Sequence, residues 1–342
     1  MKSYQDLLKH ILTNGTYKVT RAVDPVTGKQ LGTISVFGRT LRVTLSEGFP
    51  LLTTKRVSFH NVKEELLWFL RGETNVKSLQ AKGVKIWNEW AYDPEQKFGG
   101  RKKPQSDMVE EGDVGPTYGW QWRRWTVEQP LDFDETMGIP LMNFVEIDQI
   151  ANVINTLKKN PNDRRMVVSA WNPADLDKMG LPPCHYAFQF VTREEHHPGC
   201  VSAILQGFTP DRWKNPLHSV CSCGLQTGRL PGYPRRRLDC MVHMRSTDSL
   251  LGLPYNLASY ALLTHMVAKV VGMDAGDLMM TFADLHIYEN HLAQVDEQLS
   301  RVPRPLPRLV LADKDDIDAF DSDDIKIEDY NPYPAIKAPV AV

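Results

Sequence analysis

The sequence predicts an α+β domain, on three observations. Short strand candidates fall irregularly between long helical stripes, unlike the regular strand–helix alternation of a doubly wound sheet. Residues 256–271 (NLASYALLTHMVAKVV) are apolar on nearly every face, as in a helix buried inside a large domain. The 342 residues, 42% of them apolar, suffice for one large core, and no internal repeat or low-complexity linker divides them.

The elements follow in order. Leu7, Leu8, Ile11 and Leu12 form one stripe of a helix over 3–13, closed by Asn14 and Gly15. Thr33 to Phe37 alternates as a strand does. Asn61 and Glu64 have the spacing of a capping box, with Val62, Leu66, Phe69 and Leu70 as the stripe behind them. Ile147, Ile150, Val153, Ile154 and Leu157 mark another helix, stopped by Asn160 and Pro161. Strand candidates come at 165–170, 186–192 and 240–244, before the buried helix. Residues 91–113 and 193–239 read as surface insertions, and the acidic run 313–329 as a solvated face.

Composition excludes several classes. Forty Lys and Arg against 42 Asp and Glu leave a net charge of -2, which argues against a sequence-independent nucleic-acid binder. No apolar run reaches the roughly 18 residues of a membrane span. The start, MKSYQDLLKHIL, lacks the apolar core and cleavage site of a signal peptide. Five cysteines are an odd count, which favours reduced thiols and a cytoplasmic location.

Chemistry concentrates in a few places. Cys184 follows Pro182 and Pro183, so its sulfur sits on a rigid, extended segment. A nucleophilic thiol needs a positive neighbour, and Arg164, Arg165 and Arg245 are candidates; an inert buried cysteine is the alternative. Arg164 and Arg165 begin an apolar strand, where two guanidinium forks match a phosphate or simply face solvent. Arg245, Ser246 and Asp248 supply a cation, a hydroxyl and a carboxylate within four residues. Asn256 either caps the buried helix or reads the edge of a base with its amide. His286 and Tyr288 share one strand face.

These residues stand within blocks that resemble the thymidylate synthase family. The blocks are FPLLTTKR (49–56), EELLWFLRGETN (64–75), IWNEWA (86–91), GPTYGWQWR (115–123), RRMVVSAWNPADLDKMGLPPCH (164–185), RSTDSLLGLPYNLASYALLTHM (245–266), DLHIYENH (284–291) and IKAPVAV (336–342). The resemblance implies a single catalytic domain over 1–342, with insertions near 22–31, 91–113 and 193–239, whose sheets face each other across a homodimer interface. It implies reductive methylation of deoxyuridylate (dUMP) to thymidylate (dTMP) by 5,10-methylenetetrahydrofolate, which leaves as dihydrofolate, with no metal, membrane or nucleic acid required. Cys184 would attack uracil C6, making C5 nucleophilic. Glu65 would be the acid/base carboxylate, and Tyr118 and His185 part of the polar network around the base. Asn256 would read the uracil edge, and His286 and Tyr288 the ribose. Arg21, Arg245 and Ser246 would hold the phosphate, with Arg164 and Arg165 arriving from the other subunit. Lys55, Ile86, Trp87, Asp248, Leu251, Gly252 and Tyr255 would line the folate pocket, and the tail ending at Ala341 and Val342 would close it.

Some positions depart from the family pattern. The loop after Arg21 is longer, Met244 replaces a glutamine, Ala283 replaces a glycine, and Trp120 and Leu285 flank site residues. Met244, Trp120 and Leu285 also occur in related hydroxymethylases, which add water in place of hydride. A deoxyuridylate hydroxymethylase is therefore the second reading. Asn256 favours uracil in both, because cytosine presents the reverse donor–acceptor pattern. Cys200, Cys221, Cys223, His196, His197 and His218 in the long insertion are either zinc ligands or ordinary loop residues; Cys-x-Cys lacks the usual zinc spacing. Cys240 and His243 border that insertion.

Overall fold

The computed structural model describes residues 1–24, 27–104, 110–134, 139–194 and 236–340. Its centre is a six-stranded sheet. The strands are β1 (Thr16–Val23), β2 (Gln30–Thr44), β5 (Val167–Ser169), β6 (His185–Arg193), β7 (Arg237–Asp248) and β8 (Asp274–Tyr288), in the order β1-β2-β8-β7-β6-β5. Two further strands, β3 (Trp125–Asp134) and β4 (Ile139–Ile147), form a separate antiparallel ribbon, and β9 (Arg308–Leu311) pairs with β10 (Ile325–Glu328). The helices are α1 (Lys2–Asn14), α2 (Phe59–Leu70), α3 (Lys77–Ala81), α4 (Tyr118–Arg124), α5 (Gln149–Lys159), α6 (Gly252–Val270) and α7 (Leu292–Ser300). This is the α+β fold expected from the sequence.

The main sheet is antiparallel except for the β7–β8 pair. Parallel neighbours need a long crossover, and α6 is that crossover. Most of it from Leu253 to Val270 is buried because it crosses one face of the sheet and is covered in turn by α2. The opposite face is open. One register row across it runs Val167, Gln189, Met241, Met279, Arg42, and Tyr186 and Val191 also stand on it exposed.

Local readings needed three corrections. The cap of α2 is Ser58, whose hydroxyl accepts from the Asn61 N–H at 3.2 Å, so the helix starts before the Asn61–Glu64 pair. Glu64 instead accepts from Lys82 Nζ at 2.6 Å. Gly15 ends α1 with φ -74°, so it is not a left-handed cap. It is needed for space: a Cβ there would stand 2.4 Å from the Ile34 Cγ2. Asn256 does not cap α6, whose flanking residue is Leu251.

The acidic run is more than a solvated face. Ile317, Phe320 and Ile325 are buried, and Asp318 takes both Arg123 guanidinium nitrogens at 2.6 and 2.8 Å. Within 91–113, Asp93 is fully buried and accepts from the Lys97, Phe98 and Gly100 amides. Among the described residues no helix is long and apolar enough to cross a membrane.

Candidate active site

Cys184 stands where β6 begins, held from three sides. Its N–H donates to the Tyr118 hydroxyl at 2.7 Å, and its carbonyl accepts from the Arg245 N–H at 2.9 Å. The Arg245 side chain donates to the Pro183 carbonyl (2.8 Å) and the Pro182 carbonyl (2.7 Å), and its Nη2 lies 3.8 Å from Cys184 Sγ. Trp171 lies under the guanidinium, 5.7 Å from ring centroid to Cζ. Nη1 has no hydrogen-bond partner among the described residues, so one edge of the fork is left for an anion. Burial pushes the Cys184 thiol up and Arg245 pulls it down; burial prevails. The thiol is thus the resting form, and the thiolate needs further help.

Tyr118 reaches Cys184 because α4 packs closely on α2. A Cβ on Gly119 would stand 2.6 Å from the Phe69 carbonyl oxygen. The Tyr118 ring stacks on His185, with centroids 4.0 Å apart and planes at 20°. His185 Nδ1 lies 2.8 Å from the Tyr260 hydroxyl. Burial lowers the His185 pKa to about 3, so the ring is neutral at ordinary pH.

Glu65 lies one residue past Glu64 on α2 and has the opposite electrostatics. At Glu64 the Lys82 and Ser322 hydrogen bonds outweigh burial and hold the carboxyl low. Glu65 has the Trp87 indole N–H at 2.7 Å, and burial raises its pKa to about 7. A carboxyl half-protonated near neutrality suits proton transfer.

The β7–β8 pair supplies the next group. Ser246 is opposite Asp284 in register, and His286 Nδ1 lies 2.9 Å from Asp284 Oδ1. Tyr288 meets His286 edge-on at 5.0 Å. Burial, with the Asp248, Cys184 and Asp284 charges, pushes the Tyr288 hydroxyl up to about 12, while Arg21 pulls it down. Tyr288 is therefore in electrostatic reach of Cys184 and of Arg21, which projects exposed from β1. Asn256 lies within α6, and its amide has no partner among the described residues.

The thymidylate synthase family model matches residues 2–342. The chain belongs to the thymidylate synthase family. It is therefore a one-carbon-transferring enzyme of nucleotide biosynthesis, and the family takes dUMP and methylenetetrahydrofolate.

An ideal Cβ on Gly252 has only the Asp248 Cβ near it, at 3.8 Å, so the first turn of α6 has an open face. Asp248 Oδ1 accepts from the Leu250 and Leu251 amides at 2.8 and 3.2 Å, and Oδ2 has no described partner. Trp87 is 5% exposed, Ile86 and Tyr255 are half-buried, and Leu251 adjoins Gly252. Lys55 differs from expectation: it is buried, and its ammonium donates to the Leu250 carbonyl. Burial lowers its pKa to about 8, against the pull of Asp248. Lys55 thus holds the 248–251 turn from behind.

Arg164 and Arg165 are not gathered with the others. They are exposed just before β5, the Arg164 carbonyl accepts from Gln189 Nε2 at 3.0 Å, and Arg165 pairs with Asp163 at 2.9 Å. Ala341 and the insertion cysteines and histidines, Cys200, Cys221, Cys223, His196, His197 and His218, lie outside the described residues. Cys240 is buried in the core, its thiol pushed up to about 12, and His243 bonds Thr281 at 3.0 Å. Among the described residues no three His, Cys, Asp or Glu side chains cluster as metal ligands would.

Sequence reasoning missed the proline carbonyls under Arg245, Tyr260 behind His185, and His291. All of these stand inside the blocks 164–185, 245–266 and 284–291, but the groups they meet are distant in sequence, 48 residues away for His291.

Proposed function

We propose that this chain is a thymidylate synthase, methylating dUMP to dTMP, and that Cys184 forms the covalent bond to the base. The Cys184 thiol, deprotonated beside Arg245, attacks C6; the S–C6 bond forms and the C5–C6 π pair moves toward O4, leaving an enolate whose C5 is nucleophilic. Nη1 of Arg245, with Arg21 and Ser246, binds the phosphate, and that anion fixes the guanidinium against the sulfur. Asn256 donates to O4 and accepts from N3–H. Glu65, poised near neutrality, moves protons at the O4 side through water. Tyr118 and His185 hold the network beside the base. His286 and Tyr288 take the ribose hydroxyl. Methylenetetrahydrofolate supplies both the carbon and the hydride when bound, against Trp87, Asp248 and Gly252.

One observation favours methyl over hydroxymethyl transfer. None of the three residues shared with hydroxymethylases hydrogen-bonds Cys184 among the described residues. Met244 and Leu285 are core residues, 1% and 0% exposed. Trp120 lines a separate cavity with Trp125 and Phe144 and lies under Arg124. Trp87, which guards the pocket from water, is buried. The open sheet face, with Val167, Tyr186 and Val191, is the surface for a second copy, which would bring Arg164 and Arg165 to the phosphate.

The test is incubation with dUMP and methylenetetrahydrofolate, with products identified by mass and folate absorbance. Thymidylate with equimolar dihydrofolate is expected. Hydroxymethyl-deoxyuridylate with tetrahydrofolate means that water reaches the site, and the second reading holds.

A further inference from the structure

His291 lies between two parts of the folate side. It ends a short 3-10 turn (Glu289–His291) after β8 and is fully buried. Its Nε2 is 2.7 Å from the Pro339 carbonyl oxygen in the C-terminal tail. A carbonyl only accepts, so Nε2 carries the proton. Nδ1 is buried with no hydrogen-bond partner, and the nearest charged atom is Asp248 Oδ1, 4.0 Å away. The Tyr288 ring packs on the other side, at 5.6 Å.

The rest of the tail is pinned further back. The Tyr333 N–H donates to the Thr53 carbonyl at 2.8 Å, Arg301 Nη1 to the Pro334 carbonyl at 2.7 Å, and Ile336 is 7% exposed. Beyond Ile336, His291 is the side chain that bonds the tail backbone among the described residues.

We propose that His291 is a positioning residue that latches the tail and couples that latch to occupancy of Asp248; this rests on the folate reading above. A singly protonated imidazole has one proton and two claimants. On Nε2 it holds Pro339. On Nδ1 it turns toward the Asp248 carboxylate, and the latch is lost. With Asp248 unoccupied, the latched tautomer points an unshared Nδ1 lone pair at an anion, which is unfavourable in a buried site. Donor N–H groups of a bound pterin take up the Asp248 charge and remove that repulsion. The proton then stays on Nε2 and the tail tightens. By linkage, a latched tail binds folate more tightly by the same factor.

The experiment reads the latch without turnover. Hydrogen exchange is measured at the Lys337, Ala338 and Val340 amides, with and without dihydrofolate, in the unaltered chain and three variants. His291→Gln keeps a donor near Nε2, His291→Asn keeps only the Nδ1 side, and Asp248→Asn removes the charge. Tail exchange should rise roughly tenfold in His291→Asn and stay within about threefold of the parent in His291→Gln, as loss of one hydrogen bond predicts. Asp248→Asn should slow exchange without folate and abolish the folate response. Nitrogen NMR of labelled histidine in the unaltered chain should show the Nε2–H tautomer of His291 rising when folate binds. Equal exchange in the Gln and Asn variants, or an Nδ1–H tautomer in the folate-bound chain, overturns the proposal. Failure of the folate reading would show instead as absent folate binding, while the latch remains readable in the free chain.

Discussion

Glu65 and Trp87 are joined by an indole N–H to carboxylate bond of 2.7 Å, and the bond does not keep Glu65 ionised: burial still raises its pKa to about 7. Between pH 4.5, its ordinary value, and about 7 the folded chain therefore holds a proton that the unfolded chain has released. Stability falls as pH rises through that window. Glu65→Gln should recover on the order of 2–3 kcal/mol above pH 7 and nothing below the unfolded pKa, while turnover falls by about 10² to 10⁴. Thermal melts at several pH values, beside steady-state rates, check both. Equal gains at pH 4 and pH 8 would remove the protonation account.

Arg245 carries two duties on one guanidinium. Its Nε and Nη2 hold the proline carbonyls, and Nη2 faces the sulfur. Arg245→Ala should push the Cys184 thiol further up and slow its alkylation at pH 7 by roughly tenfold. Arg245→Lys should not rescue it, because an ammonium cannot span two carbonyls and a sulfur. Alkylation rate against pH measures this. Cys184→Ala should abolish turnover and leave the melt almost unchanged, since the backbone bonds to Tyr118 and Arg245 remain.

His265 offers a test away from the site. It is half-buried in α6 near Phe49, its buried Nε2 has no partner among the described residues, and burial lowers its pKa to about 4. The unfolded chain takes up a proton below about pH 6.5 that the folded chain refuses, so stability is lost as pH falls from there toward 4. His265→Leu should stabilise by about 1 kcal/mol at pH 8 through loss of the unpaired nitrogen, and by more at pH 5. Urea melts at the two pH values check it; a constant gain would place the effect in packing alone.

Asn256 should decide the base. Its amide can accept from N3–H and donate to O4, and cytosine presents the opposite set. Asn256→Asp should lower kcat/KM for deoxyuridylate by about 10² or more and raise relative use of deoxycytidylate. Competition between the two nucleotides, followed by mass, reads the switch.

What the sequence could show depended on reach. The α5 stripe and the all-apolar α6 were legible because periodicity is local. The start of α2 was missed because Ser58 competes with Asn61, and only backbone geometry shows which one caps. Cys184, Arg245 and Asn256 were legible through their blocks. Lys55 was legible through its block, but its bond to the Leu250 carbonyl was not, because nothing local reveals that demand. His291 and Pro339 meet across 48 residues, and no short pattern encodes that meeting.

The ladder between β6 and β7 stays paired to its far end, where Arg193 faces Arg237. The long segment joining those strands leaves and re-enters the sheet at one rung, about 26 Å of extended chain from His185. A change of length between residues 194 and 236 therefore enters at the rung farthest from Cys184, and a tag inserted there is expected to leave the catalytic end of the ladder in register.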